Sequence, residues 1–265
     1  MEGEGNVLEL IRRRASVRRF LDRGVPDEVV EEVVAAGQRA PFTGQMYSVV
    51  VTSDPEVRER LGELYGALPR VAPLFALVCV DFRRLERFVA ARGRENRADD
   101  LTMLFLGIQD AAYAAQNMVL AAEALGLGSC FLGAAPRLAR EMTEIFGLPS
   151  RVYPLVGLVL GYPAESPPPR PRIPTDLVLH RDRYRDPSDE DVERALAVMD
   201  AGLLREGYYG KYSARRDAGS EEKYGWGEHV ARKYSTRPGD LETMLELLAE
   251  RGIDLRPGED RDGRD

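Results

Sequence analysis

One stretch of this chain restricts its folding more than any other. Between Leu101 and Leu125, Ala, Leu, Met, Ile and Val recur on nearly every side of a helical wheel, with few charges among them. A helix that is apolar all round leaves no face for water and must be covered by a sheet, by other helices or by a second chain. The chain is long enough to supply that cover: 265 residues, 44% hydrophobic and 31% charged, fit one large globular domain or two small ones. The longest apolar runs, such as Val71 to Val80, fall short of the roughly 18 residues that cross a bilayer, and MEGEGNVLEL has no basic region leading an apolar one. No membrane partner is therefore expected, and the cytoplasm is the expected location.

Periodicity divides the remainder. Val7, Leu8 and Ile11 lie at helical spacing between Asn6 and Arg14, and Val25-Pro26-Asp27 opens a second amphipathic helix that runs to about Arg39 before Pro41 and Gly44. Tyr47 to Thr52, rich in β-branched residues, reads as a strand, and a charged helix follows from Pro55 to about Tyr65. Further strands are expected at Phe75 to Asp81, Gly128 to Gly133 and Val152 to Leu160, with a short helix from Pro136 to Phe146 stopped by Gly147. Strands separated by helices commonly build a parallel doubly wound sheet. The glycine-rich first turn of such sheets is missing, so a mixed α+β sheet is at least as good a reading.

The tract 163–174 holds too many prolines for a helix or a central strand. It reads as an extended connection between a core, 1–162, and a C-terminal extension, 175–253. Helices are expected there at Asp189 to Arg205 and Asp240 to Arg251, around the polar segment Gly207 to Gly227. Apolar residues are too few for a separate core, so the extension should wrap over the main domain or a second subunit. The polar tail, 254–265, reads as disordered.

Composition prunes the chemistry. Two cysteines, Cys79 and Cys130, lie far apart in apolar surroundings and read as core thiols, and two histidines, His180 and His229, have no setting for a triad or a metal centre. HExxH, GxSxG, GxxxxGK[ST] and GxGxxG are all missing, so no metal is expected and an enzyme here would draw its reactivity from a cofactor. A net charge of −7 argues against nucleic acid as a partner. Any anion site must be local. In Arg12-Arg13-Arg14-Ala-Ser16-Val-Arg18-Arg19, five arginines surround a serine: a solvated basic patch, a phosphate cradle built from guanidinium forks, or a basophilic kinase site at Ser16. Arg170-Pro171-Arg172 projects two more arginines from the proline-rich tract, solvated or converging on the same phosphate.

In their order along the chain, several motifs resemble the FMN-dependent nitroreductase family, in particular its NADPH-dependent nitroreductase and flavin reductase group with a C-terminal extension. These are Arg14-Ala-Ser16-Val-Arg18, Arg39-Ala-Pro41, Gln116 to Gly128 (QNMVLAAEALGLG), Leu155 to Pro163 (LVGLVLGYP) and Arg170-Pro-Arg172-Ile-Pro174. The tail adds Trp226-Gly-Glu-His229 and Arg237-Pro238. The resemblance implies a mixed, mainly antiparallel sheet flanked by helices, with the long central helix buried at a homodimer interface. It also implies FMN as cofactor, NADPH or NADH as electron donor, and nitroaromatics, quinones or free flavin as acceptors in a ping-pong cycle. By the same likeness Arg14, Ser16 and Arg18 hold the FMN phosphate and ribityl chain, and Arg170 and Arg172 complete the cradle. Leu132 and Gly133 fall where backbone N–H groups approach flavin N5 and O4, and Gln45 matches a loop glutamine beside the ring; read alone, Gly133 is a strand-end turn and Gln45 an exposed loop residue. Arg215 and Arg216 resemble a basic stretch that grips the NADPH phosphate. No catalytic side chain is implied, since the flavin carries the electrons.

Two positions depart from the family pattern. The loop Pro41 to Gln45 is short, and Leu68 stands where the group often has a flavin-facing glutamine. The charged run Arg83 to Asp100 is the candidate lid for an alternative within the same fold, a reductive dehalogenase or flavin-fragmenting enzyme. A non-catalytic flavin-binding module is the alternative from another class.

Overall fold

The structure is a computed structural model and describes residues 7–205, 224–235 and 241–255. Expectations for Arg215, Arg216, Arg237-Pro238 and residues 256–265 fall outside the described residues. Helices α1 (Val7–Arg13) and α2 (Asp27–Gly37) precede β1 (Tyr47–Thr52), and α3 (Pro55–Tyr65) and α4 (Leu68–Val71) lead into β2 (Leu74–Asp81). Then come α5 (Phe82–Ala90), α6 (Asp100–Ala124), β3 (Gly128–Leu132), a 3-10 turn at Ala135–Leu138, α7 (Ala139–Phe146) and β4 (Val152–Gly161). The last helices are α8 (Asp189–Arg205), α9 (Trp226–Ser235) and α10 (Leu241–Glu250).

Local chemistry sets many of these boundaries. Asp54, Asp81 and Asp99 cap α3, α5 and α6 by accepting hydrogen bonds from the backbone N–H of Glu56, Arg84 and Thr102, groups the helix itself leaves unpaired. Gly147 ends α7 in the left-handed region at φ 61°, where a side chain would be strained.

The four strands form one sheet in the order β1-β2-β4-β3, and every pair is antiparallel. All eight residues of β2 are buried, because both faces of the sheet are covered. Phe75, Leu77 and Cys79 pack with Leu61 of α3 and Met142 of α7. Leu74 and Ala76 pack with Val33 of α2 and Met118, Val119 and Ala122 of α6, while Val78 meets Ala111, Ala114 and Ala115. Double cover makes the strand read as one apolar run, the pattern usually written by a parallel sheet. The alternation of strands and helices along the chain, which suggested a parallel sheet, thus had no strand pattern to contradict it. Gly107 brings α6 close to β2, since a Cβ there would lie 2.6 Å from Cγ1 of Val80.

In this single chain α6 is not covered on all sides. Met103, Ala111, Ala115, Val119 and Ala122 face the sheet, whereas Leu101, Phe105, Ile108 and Tyr113 are exposed, Phe105 by 63%. The first part of the charged run after β2, the candidate lid, is the helix α5.

Residues group into two units, Met1–Pro168 with Leu241–Asp265, and Pro169–Asp240. The extension expected over 175–253 is thus divided, because α10 belongs to the first unit: Leu247, Leu248 and Ile253 are buried with Met46, Val80, Phe82 and Tyr153. Arg151 fastens this end. Its guanidinium bonds both carboxylate oxygens of Asp100, at 2.7 and 2.9 Å, together with Glu86 and the carbonyl of Gly252, and its N–H donates to the carbonyl of Arg251. In the second unit Met199 and Leu203 of α8 form a small cluster with Tyr224 and Trp226, an apolar centre that its composition did not promise. Trp226–Ser235, expected to begin in a polar segment, is helical.

Candidate functional site

After α1 the chain becomes extended, and alternation sorts its side chains. Ala15 and Val17 are buried, whereas Arg14 and Ser16 are half-buried and Arg18 is exposed. In an extended segment successive side chains point to opposite sides, so Arg14, Ser16 and Arg18 share one face. The backbone is held on two sides. Ser16 forms a parallel bridge with Ser129 of β3, and Val17 N–H donates to the Ser129 carbonyl at 2.9 Å. Phe20 bridges Pro163, Leu21 N–H donates to Tyr162, and Ala164 N–H donates to Arg19.

Glu165, which sequence reasoning did not single out, locks this arrangement. Its carboxylate accepts from the N–H groups of Arg18 and Arg19, at 2.6 and 3.0 Å, and pairs with the Arg19 guanidinium at 2.8 Å. Burial raises its pKa, but these hydrogen bonds outweigh that and hold it below the usual carboxylate range. Arg19 is therefore spent on structure. Among the described residues the Arg14 guanidinium and the Ser16 hydroxyl make no hydrogen bond, and the Arg18 guanidinium makes only a turn back to the Ser16 carbonyl at 3.1 Å.

The surroundings leave further polar capacity. Oγ of Ser129 and Oε1 of Glu123 are buried without a hydrogen-bond partner. The Glu123 carboxyl is raised above its ordinary pKa by burial, against the opposing pull of Arg14 and Arg13. From Ser129, β3 runs to Leu132 and then Gly133, about 13 Å away at an ordinary strand rise. A Cβ built on Gly133 meets nothing within 4 Å. Donors with spare capacity at one end of the strand and open space at the other suit an elongated phosphorylated cofactor such as FMN.

Gln45 lies in the loop between α2 and β1, half-buried and with φ 51°. The N–H groups of Thr43, Gly44 and Met46 all donate to the carboxylate of Asp110 on α6, which is 1% exposed. On the other side Arg84 of α5 donates to the carbonyls of Gln45 and Tyr47 and to the Ser48 hydroxyl. The Tyr47 phenol is raised, mostly by burial, with Arg84 lowering and Asp110 raising it. Neither Asp110 nor Arg84 was a sequence candidate; the only available signal was an acidic residue at the middle of a mostly apolar helix.

Leu68 starts α4 and packs into the cluster beneath Phe75. Arg172, in the second unit, donates to the carbonyls of Arg170 and Pro171. In that unit the Tyr224 hydroxyl meets Nδ1 of His229 at 3.0 Å, placing the Trp226 to His229 motif beside α8. A cavity of about 590 Å³ lies between β1, α5 and the end of α7, but none of the cradle residues lines it.

Comparison with known proteins converges on one family. The family model described as "Nitroreductase family" matches residues 11–73 and 64–162, and "Nitroreductase family, C-terminal domain" matches residues 170–256. A Cr(VI) reductase of Pseudomonas sp. (strain G-1) is 35% identical over 79% of this chain and 86% of its own length. An oxygen-insensitive NADPH nitroreductase of Salmonella typhimurium is 33% identical over 89% of this chain and 95% of its own. The NADPH:FMN oxidoreductase of Vibrio harveyi, solved with NAD+, superposes with a TM-score of 0.78 at 26% identity, covering 95% of this chain and all of that one. An antiparallel sheet sandwiched by helices, a polar face at Arg14 to Arg18 and family models spanning core and extension alike make this chain a member of the nitroreductase family.

Proposed function

We propose that the protein is a cytoplasmic, homodimeric, FMN-dependent NAD(P)H oxidoreductase acting on nitroaromatics, quinones or free flavin. The observation that carries this reading is the single polar face of Arg14, Ser16 and Arg18, joined by β3 to the open backbone at Gly133. Relatives named as NADPH nitroreductase, FMN reductase and NADPH-flavin oxidoreductase support it. FMN, when bound, would supply the redox chemistry that links NADPH or NADH to the acceptor in a ping-pong cycle, held by the residues named next.

The chain's own residues bind and orient. Arg14 and Arg18 offer guanidinium forks and Ser16 a hydroxyl to the phosphate and ribityl chain, with Arg170 and Arg172 as further cations for the same group. Leu132 and Gly133 offer backbone N–H groups to the ring edge at N5 and O4, where negative charge is favoured by fixed donors, and Gln45 offers its amide beside the ring. Arg215 and Arg216 are assigned to the NADPH phosphate. The proline-rich tract 163–174 connects the flavin-binding core to the extension that follows it. A second copy of the chain is the partner that covers Leu101, Phe105 and Ile108, an apolar stripe at helical spacing.

The test is the visible absorption spectrum of the FMN-loaded protein before and after anaerobic NADPH. Flavin bands that bleach are expected, whereas a chain that takes up no FMN overturns the reading. Replacing Arg18 and Arg172 together with alanine should weaken FMN binding by roughly a hundredfold while the unfolding midpoint stays within a few degrees. Unchanged flavin occupancy in that variant removes the cradle assignment.

A further inference from the structure

We propose that Asp110 and Arg84 form a two-sided clamp on residues 43–47 that presents Gln45 to the flavin, making both of them positioning residues for the cofactor. The inference rests on the reading above that Gln45 lies beside the ring.

Residues 43–46 form no helix or strand, yet the N–H groups of Thr43, Gly44 and Met46 and the carbonyls of Gln45 and Met46 are all held. Oδ1 of Asp110 accepts from Thr43 N–H at 2.7 Å, and Oδ2 accepts from Gly44 and Met46 N–H, each at 3.0 Å. The carbonyl of Gln45 accepts from Nη2 of Arg84 at 2.7 Å, and the carbonyl of Tyr47 accepts from the same nitrogen. Met46 contributes its carbonyl to Asp81 N–H at 2.9 Å. Arg84 is steadied in turn: its own N–H donates to Oδ1 of Asp81, its Nη1 to the Ser48 hydroxyl, and that hydroxyl to Oδ2 of Asp81.

Such an arrangement is costly unless it serves something. Asp110 places a carboxylate among Ala111, Ala114 and the underside of the sheet, where an apolar side chain would pack without losing hydration. Gln45 holds a left-handed backbone without being glycine, a conformation that survives only where its neighbours over-determine it. Donors on one side and acceptors on the other leave the loop a single conformation, and the residue so fixed is the one whose side chain the cofactor reading uses. A loop that merely joined α2 to β1 needs neither.

The experiment compares Asp110→Asn, Gln45→Ala, the double variant, and Met118→Ala as a control buried on the same helix away from the loop. FMN dissociation constants and the visible flavin bands are measured, with folding followed by circular dichroism. Asp110→Asn turns one acceptor oxygen into an amide NH2 donor that faces backbone N–H donors; FMN should bind about tenfold more weakly, and its bands should move towards those of free flavin. In the Gln45→Ala background the same change should add little, because the clamp acts through Gln45. A purely structural Asp110 would instead add its full effect there, and Met118→Ala at equal loss of stability would weaken FMN as much; either result overturns the clamp. A silent Asp110→Asn beside an affected Gln45→Ala also overturns the clamp while leaving the site reading intact. A silent Gln45→Ala overturns that part of the site reading and the clamp with it. If Asp110→Asn does not fold, Arg84→Ala removes the outer half of the clamp and must give the same epistasis with Gln45→Ala.

Discussion

Arg151 offers the sharpest test of what holds the core unit closed. Its guanidinium joins Glu86 on α5, Asp100 at the start of α6 and the carbonyl of Gly252 after α10, so one side chain ties together three segments distant in sequence. The side chains are 19%, 29% and 16% exposed for Arg151, Glu86 and Asp100, between the surface and the interior. Exposed ion pairs contribute at most about 1 kcal/mol, and breaking a fully buried one costs about 3–5 kcal/mol. Arg151→Ala should therefore destabilise by about 2–3 kcal/mol, a fall of roughly 5–10 °C in Tm for a chain of this size. The backbone supplies an internal control. Arg151 has φ 70°, a strain that alanine retains and glycine relieves by about 1 kcal/mol, so Arg151→Gly should unfold later than Arg151→Ala although both lose the guanidinium. Urea and thermal unfolding of both variants decide the matter. A loss below about 1 kcal/mol in the alanine variant, or a glycine variant no more stable than it, refutes the reasoning.

Phe105→Glu puts a charge on the exposed stripe of α6; in the proposed homodimer, burying that ring is worth about 3 kcal/mol per protomer, so the dimer dissociation constant should rise at least a hundredfold in sedimentation. Cys79 is fully buried, and burial pushes its thiol up to about 12, so at pH 8 it is protonated and should resist alkylation in the native protein, reacting only after unfolding. Glu123→Gln removes a negative charge beside Arg14 and Arg13 and should tighten FMN binding about threefold in a fluorescence titration.

Much of the fold is legible because its signals are local. Asp54-Pro55 marks the start of α3, the β-branched run Tyr47–Thr52 marks β1, and Gly147 closes α7. What sequence alone cannot supply is whatever depends on the two faces of the sheet. A strand covered on both sides loses the alternation that announces an antiparallel partner, and α6 looks apolar all round although only one face of it meets the sheet. In the run Arg83 to Asp100, six arginines hide the apolar stripe that Leu85 and Val89 form with Phe82 just before it, so a helix reads as a charged segment and a candidate lid. The candidate site divides the same way. Arg14, Ser16 and Arg18 are visible as residue types, and the alternation with Ala15 and Val17 would have shown their common face; Asp110, Arg84 and Glu165 act through backbone groups brought together by folding, which leave no motif.

The place of α10 in the core also sets a timetable for synthesis. Ile253 is fully buried in the same cluster as Met46 and Val80, so that cluster stays unfinished while about 170 further residues are added after Val80. At about 5–20 residues per second this leaves apolar surface open for roughly 9–35 s, far longer than collapse or strand pairing requires. Over about the last 90 of those residues, once β4 has been made to Gly161, the nascent chain has its four strands but lacks the last helix that covers this cluster.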